Sequence, residues 1–302
     1  QSAPDLLMEK ILSVIDTADI DQIMVALQIG TERPEEFSYE QRNVAFVRII
    51  ERFRTPTQRA ELWKMIRFCA ARPEIIARQM ACAILDNYWK DKKTEAERIL
   101  LNLARDEDWE VREYASATIA RIVRSNFKAV YPYLLRWAES DDPSVRRQVM
   151  VAIVAISDQE HPEWAKPLLD LVETNLKNRD PYVRRNLGPF ALGEGLLRNY
   201  PEDTLEAMST WTNLDDEMVR WNIGMGLTVS HVGDYWEAAL IILKSFGTDK
   251  RRMVWQAVSM ALQNLLHLHP DVVEPRLNGW MKEEPGLRVA VSTALAAYRS
   301  MN

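Results

Sequence analysis

The chain has 302 residues, of which 47% are hydrophobic and 27% are charged, and its net charge is −6. This composition excludes a wholly disordered chain, because ten Trp, nine Tyr and seven Phe are available for a core. Ten Gly and fourteen Pro are too few for the many turns of an all-β protein. The acidic balance argues against a uniformly basic nucleic-acid-binding coat, although 38 Lys and Arg leave room for a basic stripe on one face.

No segment has the length and hydrophobicity of a membrane span. The longest apolar runs, such as Val149–Ile156 and Ala238–Leu243, are much shorter than a bilayer-spanning helix requires. No charged-then-apolar signal segment is visible at the N-terminus. The two cysteines, Cys69 and Cys82, cannot form a disulfide framework in a chain of this size. These features predict a cytoplasmic protein that does not associate with membranes.

The N-terminal region, 1–72, predicts helices of irregular spacing. Apolar residues at helical intervals indicate helices over Pro4–Ile15, Asp21–Leu27, Tyr39–Arg52 and Pro56–Ala70. The polar stretch Gly30–Ser38 predicts a loop between the second and third of them.

From residue 73 onward, one pattern recurs: an acidic residue, two spacers, an aliphatic residue and an arginine, followed by an apolar helix. It is clearest at Asp108–Arg112, Asp142–Arg146, Asp180–Arg184 and Asp216–Arg220. With weaker copies included, the arginine position falls at residues 78, 112, 146, 184, 220, 255 (a Trp) and 288. We call this series the Arg column. Its nearly constant step is the signature of a repeat array.

Each repeat has room for two helices. Asp142 and Asp180 each precede a proline, which is typical of an N-cap followed by the first helical residue. The other half of each repeat is also amphipathic, over Phe127–Glu139, Glu163–Lys177, Glu202–Thr212, Tyr235–Phe246 and Asp271–Lys282. The sequence therefore predicts an all-α, HEAT-like solenoid, a right-handed superhelix of seven or eight antiparallel helix pairs. We expect a single domain over 1–302, with regular repeats over 73–302.

The repeated charges have two interpretations. An N-cap acid and an Arg four residues later can form a structural ladder between repeats. Alternatively, if the second helices line the concave side, their cations form a stripe that could follow a DNA backbone. The candidate DNA contacts are Arg112, Arg146, Arg147, Arg184, Arg185, Arg220, Lys250, Arg251 and Arg252.

Aromatic residues accompany this column. Most of them are expected in the core, and Trp137 and Trp211, which close equivalent helices, favour packing. Trp109, Tyr182 and Trp221 lie near helix starts beside the column and are the better candidates for stacking on a ligand.

Two carboxylates are candidates for chemistry. Among the residues directly after the column residue, only Glu113 is acidic, so it is either a salt-bridge partner or a group directed at a cationic ligand. Glu194 lies in the glycine-rich stretch 186–195, where Gly188-Pro189 predicts a kink and the glycines indicate close helix packing or room for a ligand. Nucleotide-binding and hydrolase motifs are absent, and His267 and His269 are wrongly spaced for one helix face, so neither a cofactor nor a metal is predicted.

The run Asp108-Trp-Glu-Val-Arg-Glu-Tyr-Ala115 resembles the AlkC/AlkD superfamily of bacterial DNA alkylation repair proteins, most closely its AlkC-type branch. The resemblance continues through Leu134–Ala138, Ser144–Arg147, Tyr182–Arg185 and Asn199–Glu202 to Trp211, and covers residues 73–231. It implies a HEAT-like solenoid that binds double-stranded DNA. It also implies a bacterial, nucleoid-associated protein, expected to be a monomer.

Active members of this superfamily are glycosylases that release cationic N3- and N7-alkylated purines. The carboxylate of their Val-Arg-Glu run corresponds to Glu113. A second acid, expected after the later Val-Arg-Arg, is not matched, because Gly193 lies near that place and Glu194 is one residue away. The immunoglobulin-like module of some AlkC-type members also has no counterpart. The alternative function is a non-enzymatic scaffold that binds a protein or an acidic peptide in the same groove.

Overall fold

A computed structural model describes residues 3–301 of the chain. This part contains 17 α-helices and no β-strand, which confirms the predicted all-α helical-repeat fold. The helices form two compact units, the first ending at Phe127 and the second beginning at Lys128. The organisation of residues 1–302 as a single domain stays a prediction. None of the described helices is both long and apolar enough to cross a bilayer.

The first unit consists of seven helices. They are α1 (Ala3–Thr17), α2 (Ile20–Thr31), α3 (Tyr39–Arg52), α4 (Pro56–Cys69), α5 (Ile75–Leu85), α6 (Lys93–Leu103) and α7 (Trp109–Ser125). Ser38 and Thr55 begin α3 and α4 with capping boxes, in which the third helical residue, a Gln, bonds back to the cap. The four helices predicted before residue 72 are therefore confirmed, with α1 and α2 longer than expected.

The second unit continues the alternation. Its helices are α8 (Phe127–Ala138), which begins at the unit boundary, α9 (Pro143–Ile156), α10 (Ala165–Glu173), α11 (Pro181–Asn186), α12 (Pro201–Trp211), α13 (Glu217–Gly226), α14 (Trp236–Phe246), α15 (Arg252–Leu268), α16 (Pro270–Glu283) and α17 (Arg288–Met301). Trp137 and Trp211 are buried, as the packing interpretation predicted.

Odd-numbered helices of the second unit form one layer. In this odd layer, α9 packs on α11, the chain after α11 packs on α13, α13 on α15, and α15 on α17. The even-numbered helices contact one another much less extensively. The odd layer is therefore the more extensively packed of the two layers of this unit.

The glycine-rich stretch extends α11 as a π-helical segment over Leu187–Leu197. Regular α-geometry is therefore interrupted where Gly188-Pro189 predicted a kink, but by a widened helix. Pro189 has no N–H for an α-helical bond. A Cβ on Gly193 would lie 2.7 Å from Val229 Cγ1 and 3.0 Å from Gly226 O, so glycine permits the close approach to α13. This finding supports close packing as the role of the glycines.

Candidate functional site

The acidic residues of the repeated pattern cap their own helices. Asp108 Oδ1 accepts from the backbone N–H groups of Glu110 and Val111, at 2.9 and 3.1 Å. Asp180 and Asp216 likewise accept from two backbone N–H groups at the starts of α11 and α13, and Asp142 accepts from one, that of Ser144, at the start of α9. The predicted N-caps are therefore confirmed. Asp108, Asp180 and Asp216 each accept hydrogen bonds from the first turn of their own helix, and none of these three forms an ion pair with an arginine of the Arg column.

The ladder between repeats uses a different acid, the residue two positions before the N-cap, which we call the ladder position. Arg78 donates from Nε and Nη2 to the two carboxylate oxygens of Asp106 at 2.6 and 3.0 Å. In the second unit, Arg220 Nη1 lies 2.8 Å from Asp249 Oδ2. Asp106 and Asp249 also accept the backbone N–H two residues on, which fixes the turn into the next helix.

Asp249 is held by two arginines. Its side chain is only 4% exposed, and Arg251 joins Arg220 as a donor to it. Burial opposes the charged form, but the hydrogen bonds from Arg251 and Arg220 outweigh it and lower the pKa of Asp249 to about 2. Both arginines also reach Asp215 at the surface. Arg220 and Arg251, two of the predicted DNA contacts, are therefore largely neutralised within the fold.

The ladder is interrupted in the second unit. Its ladder positions are Ser140 before α9, Asn178 before α11, Leu214 before α13 and Asp249 before α15. Asn178 keeps the turn, since its Oδ1 accepts from Asp180 N–H at 2.9 Å, but it supplies no charge. Leu214 supplies neither an acceptor for the turn nor a charge, and this residue is 38% exposed. Accordingly, no carboxylate within residues 3–301 forms an ion pair with Arg146 or Arg184, and both have a buried Nε without a hydrogen-bond partner.

Arginines of the interrupted part lie against aromatic rings of the next repeat. The Arg147 guanidinium lies 5.3 Å from the centre of the Tyr182 ring, and that of Arg184 lies 5.2 Å from the Trp221 ring. Arg184 Nη1 otherwise contacts two weak acceptors, Met218 Sδ at 3.8 Å and Met253 Sδ at 3.6 Å. One face of Tyr182 and of Trp221 thus already carries a cation, and their predicted stacking on a ligand stays a prediction.

The remaining predicted DNA contacts differ in their solvent exposure and in their hydrogen bonds within the fold. Arg185 is exposed on α11, and Lys250 and Arg252 are exposed just before and at the start of α15. Arg112, in the first unit, donates to the backbone carbonyls of Asp106 and Glu107 at 2.6 and 2.8 Å. The exposed candidates are therefore found in the second unit.

Charge is segregated between the two layers of the second unit. The odd layer, comprising α9, α11 with its π-helical segment, α13, α15 and α17, contains eight Arg and only two acidic residues, Glu194 and Glu217. The even-numbered helices from α8 to α16 contain six basic and nine acidic residues. The net negative charge of the chain is therefore compatible with a basic layer, because the basic and acidic residues of this unit are unevenly distributed between the two layers.

Glu113 lies on the second turn of α7 and is half-buried. Trp109 begins the same helix and is 62% exposed. Residues four apart share one helix face, so this carboxylate and this indole are neighbours. Glu194 is half-buried in the π-helical segment of the second unit. Within the described residues, no group of three His, Cys, Asp or Glu side chains could hold a metal ion.

A polar network beside Glu113 was not predicted from the sequence. Arg42 Nη1 donates to Gln79 Oε1 and to Glu110 Oε2, each at 2.9 Å, and Gln79 Nε2 donates to the same Glu110 oxygen at 2.7 Å. The bond from Arg42 lowers the pKa of Glu110 against the effect of burial. The network forms the polar wall of an open cavity of about 470 Å³ whose other lining includes Phe37 and Ile76. Arg42 and Glu110 are distant in the sequence, and only the polar Gln79 beside the Arg column could have hinted at the contact.

Comparison of the sequence with family models identifies helical repeats in part of the chain. A sequence model of HEAT repeats matches residues 64–149 and 96–176. Among solved structures, an engineered protein of the Northeast Structural Genomics Consortium aligns over 85% of this chain and 98% of its own, at 17% identity and a TM-score of 0.30. A designed armadillo repeat protein aligns over 78% of this chain and 98% of its own, at 16% identity and a TM-score of 0.25. No curated protein sequence matches the chain. The HEAT match and the observed helix pairs support a HEAT-like helical-repeat protein.

Proposed function

We propose that this protein binds the phosphate backbone of duplex DNA through the odd layer of its second unit. The observation that carries the proposal is the segregation of charge, eight arginines against two acids in that layer, in a chain whose net charge is −6. Neutralising phosphates with Arg and Lys releases condensed counterions, which supplies most of the affinity of sequence-independent DNA binding.

The spacing of the cations suits a duplex. Consecutive helices of a packed layer are roughly 8–10 Å apart. At a rise of about 3.4 Å per base pair, one helix spacing spans roughly three base pairs, so a row of cations can meet a phosphate every third step. We assign the contacts to the cations of this part that lack an internal carboxylate or lie exposed, namely Arg146, Arg184, Arg185, Lys250 and Arg252.

A fluorescence anisotropy titration tests this proposal with a fluorescent duplex at several salt concentrations. Each lost phosphate contact reduces the slope of log K against log salt by about 0.9, so Arg185→Gln with Arg252→Gln should reduce it by about 1.8. The matched control is Lys128→Gln with Lys282→Gln, which removes two exposed charges from even-numbered helices and should leave the slope unchanged. A wild-type protein without salt-dependent binding would refute DNA binding and favour the scaffold that binds a protein or peptide.

A second candidate, DNA glycosylase activity on N3- or N7-alkylated purines, rests on the neighbouring positions of Glu113 and Trp109 on α7 and on the AlkC/AlkD resemblance of that run. An alkylated purine already carries a positive charge and leaves without protonation. The enzyme then needs a carboxylate that stabilises the oxocarbenium-like transition state and positions water, which is the role we give to Glu113. The indole of Trp109 would pack against the sugar or base.

Base release from methylated duplex DNA tests the second candidate. Glu113→Gln keeps the size and hydrogen-bonding capacity of the side chain but removes its charge. We expect this variant to lose base release while binding undamaged DNA as tightly as the wild type. Release at the wild-type rate by the variant would remove Glu113 from the chemistry. Absence of release by both proteins would limit the function to DNA binding.

A further inference from the structure

Asn178 and Leu214 are neutral residues at the ladder position, where two of the repeats, with Asp106 and Asp249, have an acid and another has Ser140. Each column arginine is followed, after a nearly constant stretch of chain, by its ladder residue: Asp106 after Arg78, and Asp249 after Arg220. Leu214 follows Arg184 at almost the same interval and stands, like the two aspartates, two residues before the first capping residue of the next odd helix. By this equivalence, a carboxylate at position 214 should come within reach of the Arg184 guanidinium, as Asp106 and Asp249 do for Arg78 and Arg220.

The contacts of Arg184 agree with a missing anion. An arginine presents five N–H donors, and hydrogen bonds from a charged group are among the strongest in a protein. Arg184 donates from Nη1 to two methionine sulfurs and its guanidinium lies against the Trp221 ring, so no carboxylate is among these contacts. Its buried Nε has no acceptor, but the same holds for Arg220, so the missing carboxylate and not the Nε distinguishes Arg184. Its side chain is half-buried, so solvent still reaches part of the group. Arg146 likewise has no carboxylate at its ladder position, which is the uncharged Asn178.

We infer that these two interruptions of the ladder are anion subsites, and that phosphate groups of DNA occupy at Arg146 and Arg184 the place that aspartate carboxylates occupy at Arg78 and Arg220. This inference rests on the proposed function and assigns its phosphate contacts to particular residues. Arg146 and Arg184 are the fourth residues of the neighbouring helices α9 and α11, so the two subsites are one helix spacing apart. The folded chain satisfies Arg78 and Arg220 internally and reserves Arg146 and Arg184 for an external anion.

The inference is tested by placing a carboxylate of the chain itself at the ladder position. In Leu214→Asp, the new carboxylate should bind Arg184 and also accept the Asp216 N–H, as Asp249 does for Arg251. We expect a higher Tm and, at about 100 mM salt, a tenfold weaker affinity for a duplex oligonucleotide, equal to about 1.4 kcal/mol. The salt slope should fall by about 0.9. Asn178→Asp, an isosteric change, should act in the same way on Arg146.

Two matched variants separate the ion pair from other effects. Leu214→Asn restores the turn acceptor without a charge, so it should stabilise the turn yet keep wild-type DNA affinity. Asn213→Asp places the same charge on the adjacent exposed residue, outside the ladder position, and measures general repulsion. Arg184 should lose its DNA contact only in Leu214→Asp.

The outcomes distinguish this inference from the function on which it rests. Equal DNA affinity and salt slope for Leu214→Asp and Asn213→Asp would overturn the subsite while leaving DNA binding intact. A Leu214→Asp protein no more stable than Leu214→Asn would also overturn it, because Arg184 would then be out of reach of an anion at that position. If the wild type binds an acidic peptide but not DNA, both the proposed function and the phosphate assignment fail.

Discussion

Replacing Asp249 by asparagine should remove the most strongly perturbed carboxylate of the second unit. The pKa of Asp249 is lowered from 3.8 to about 2, and a lowered pKa adds stability at every pH above the unfolded value. A pKa lowered by almost two corresponds to about 2–3 kcal/mol of unfolding free energy near neutral pH. For a unit of this size, that loss should lower Tm by about 5–10 °C. Because the side chain is 4% exposed, solvent screening does not remove this contribution.

Calorimetry of wild type and Asp249→Asn between pH 7 and pH 2 would measure the effect. The two proteins should differ by the full amount above about pH 4, and the difference should shrink as pH falls from 4 towards 2, where the wild-type carboxylate becomes protonated. Asp215→Asn is the matched control, since Asp215 binds the same two arginines but is 80% exposed, and it should cost less than about 1 kcal/mol. Equal losses for the two variants, or a pH-independent difference, would refute the role of burial in this argument.

Two further predictions concern packing and burial. Gly193→Ala should destabilise the protein by about 1–3 kcal/mol in urea unfolding, because the new methyl would meet Val229 and the Gly226 carbonyl. Gly279→Ala, whose methyl meets nothing closer than 3.8 Å within a helix, should instead stabilise it by about 0.5–1 kcal/mol; the opposite order would contradict the assigned contacts. Burial raises the pKa values of the Cys69 and Cys82 thiols, so a maleimide should label neither in the native protein at pH 8 and both in denaturant. Rapid native labelling of either thiol would show that its helix opens.

The repeats were predictable because their signals are local. Asp142-Pro and Asp180-Pro combine an N-cap acceptor with a residue whose φ suits the first turn, and both begin helices in the structure. Capping depends on neighbouring residues alone, so helix starts could be placed without knowledge of the packing.

The site was less predictable because its partners cross repeats. The sequence interpretation gave the N-cap acids to the ladder, whereas the structure uses Asp106 and Asp249, since the geometry of stacked helices decides which carboxylate an arginine reaches. The Arg42–Glu110 pair forms because α3 lies beside α5 and α7. The N-terminal helices are irregularly spaced, so no repeat in the sequence could predict this placement. At Gly188-Pro189, local rules predicted a break, but its π-helical form also reflects contact with α13.

The junctions between odd helices of the second unit are stabilised by different physics. At the α13–α15 junction, Asp249 joins Arg220 and Arg251 by charge, whereas at the preceding junction the ladder residue is leucine and glycines of the π-helical segment pack against α13. In a linear array, overall cooperativity depends on the coupling between each repeat and the next. Low pH protonates carboxylates, so it weakens the ionic coupling at the α13–α15 junction but not the glycine packing at the preceding junction. Disassembly at low pH should therefore begin at the C-terminal end, with α15–α17 losing amide protection from hydrogen exchange before α9–α13.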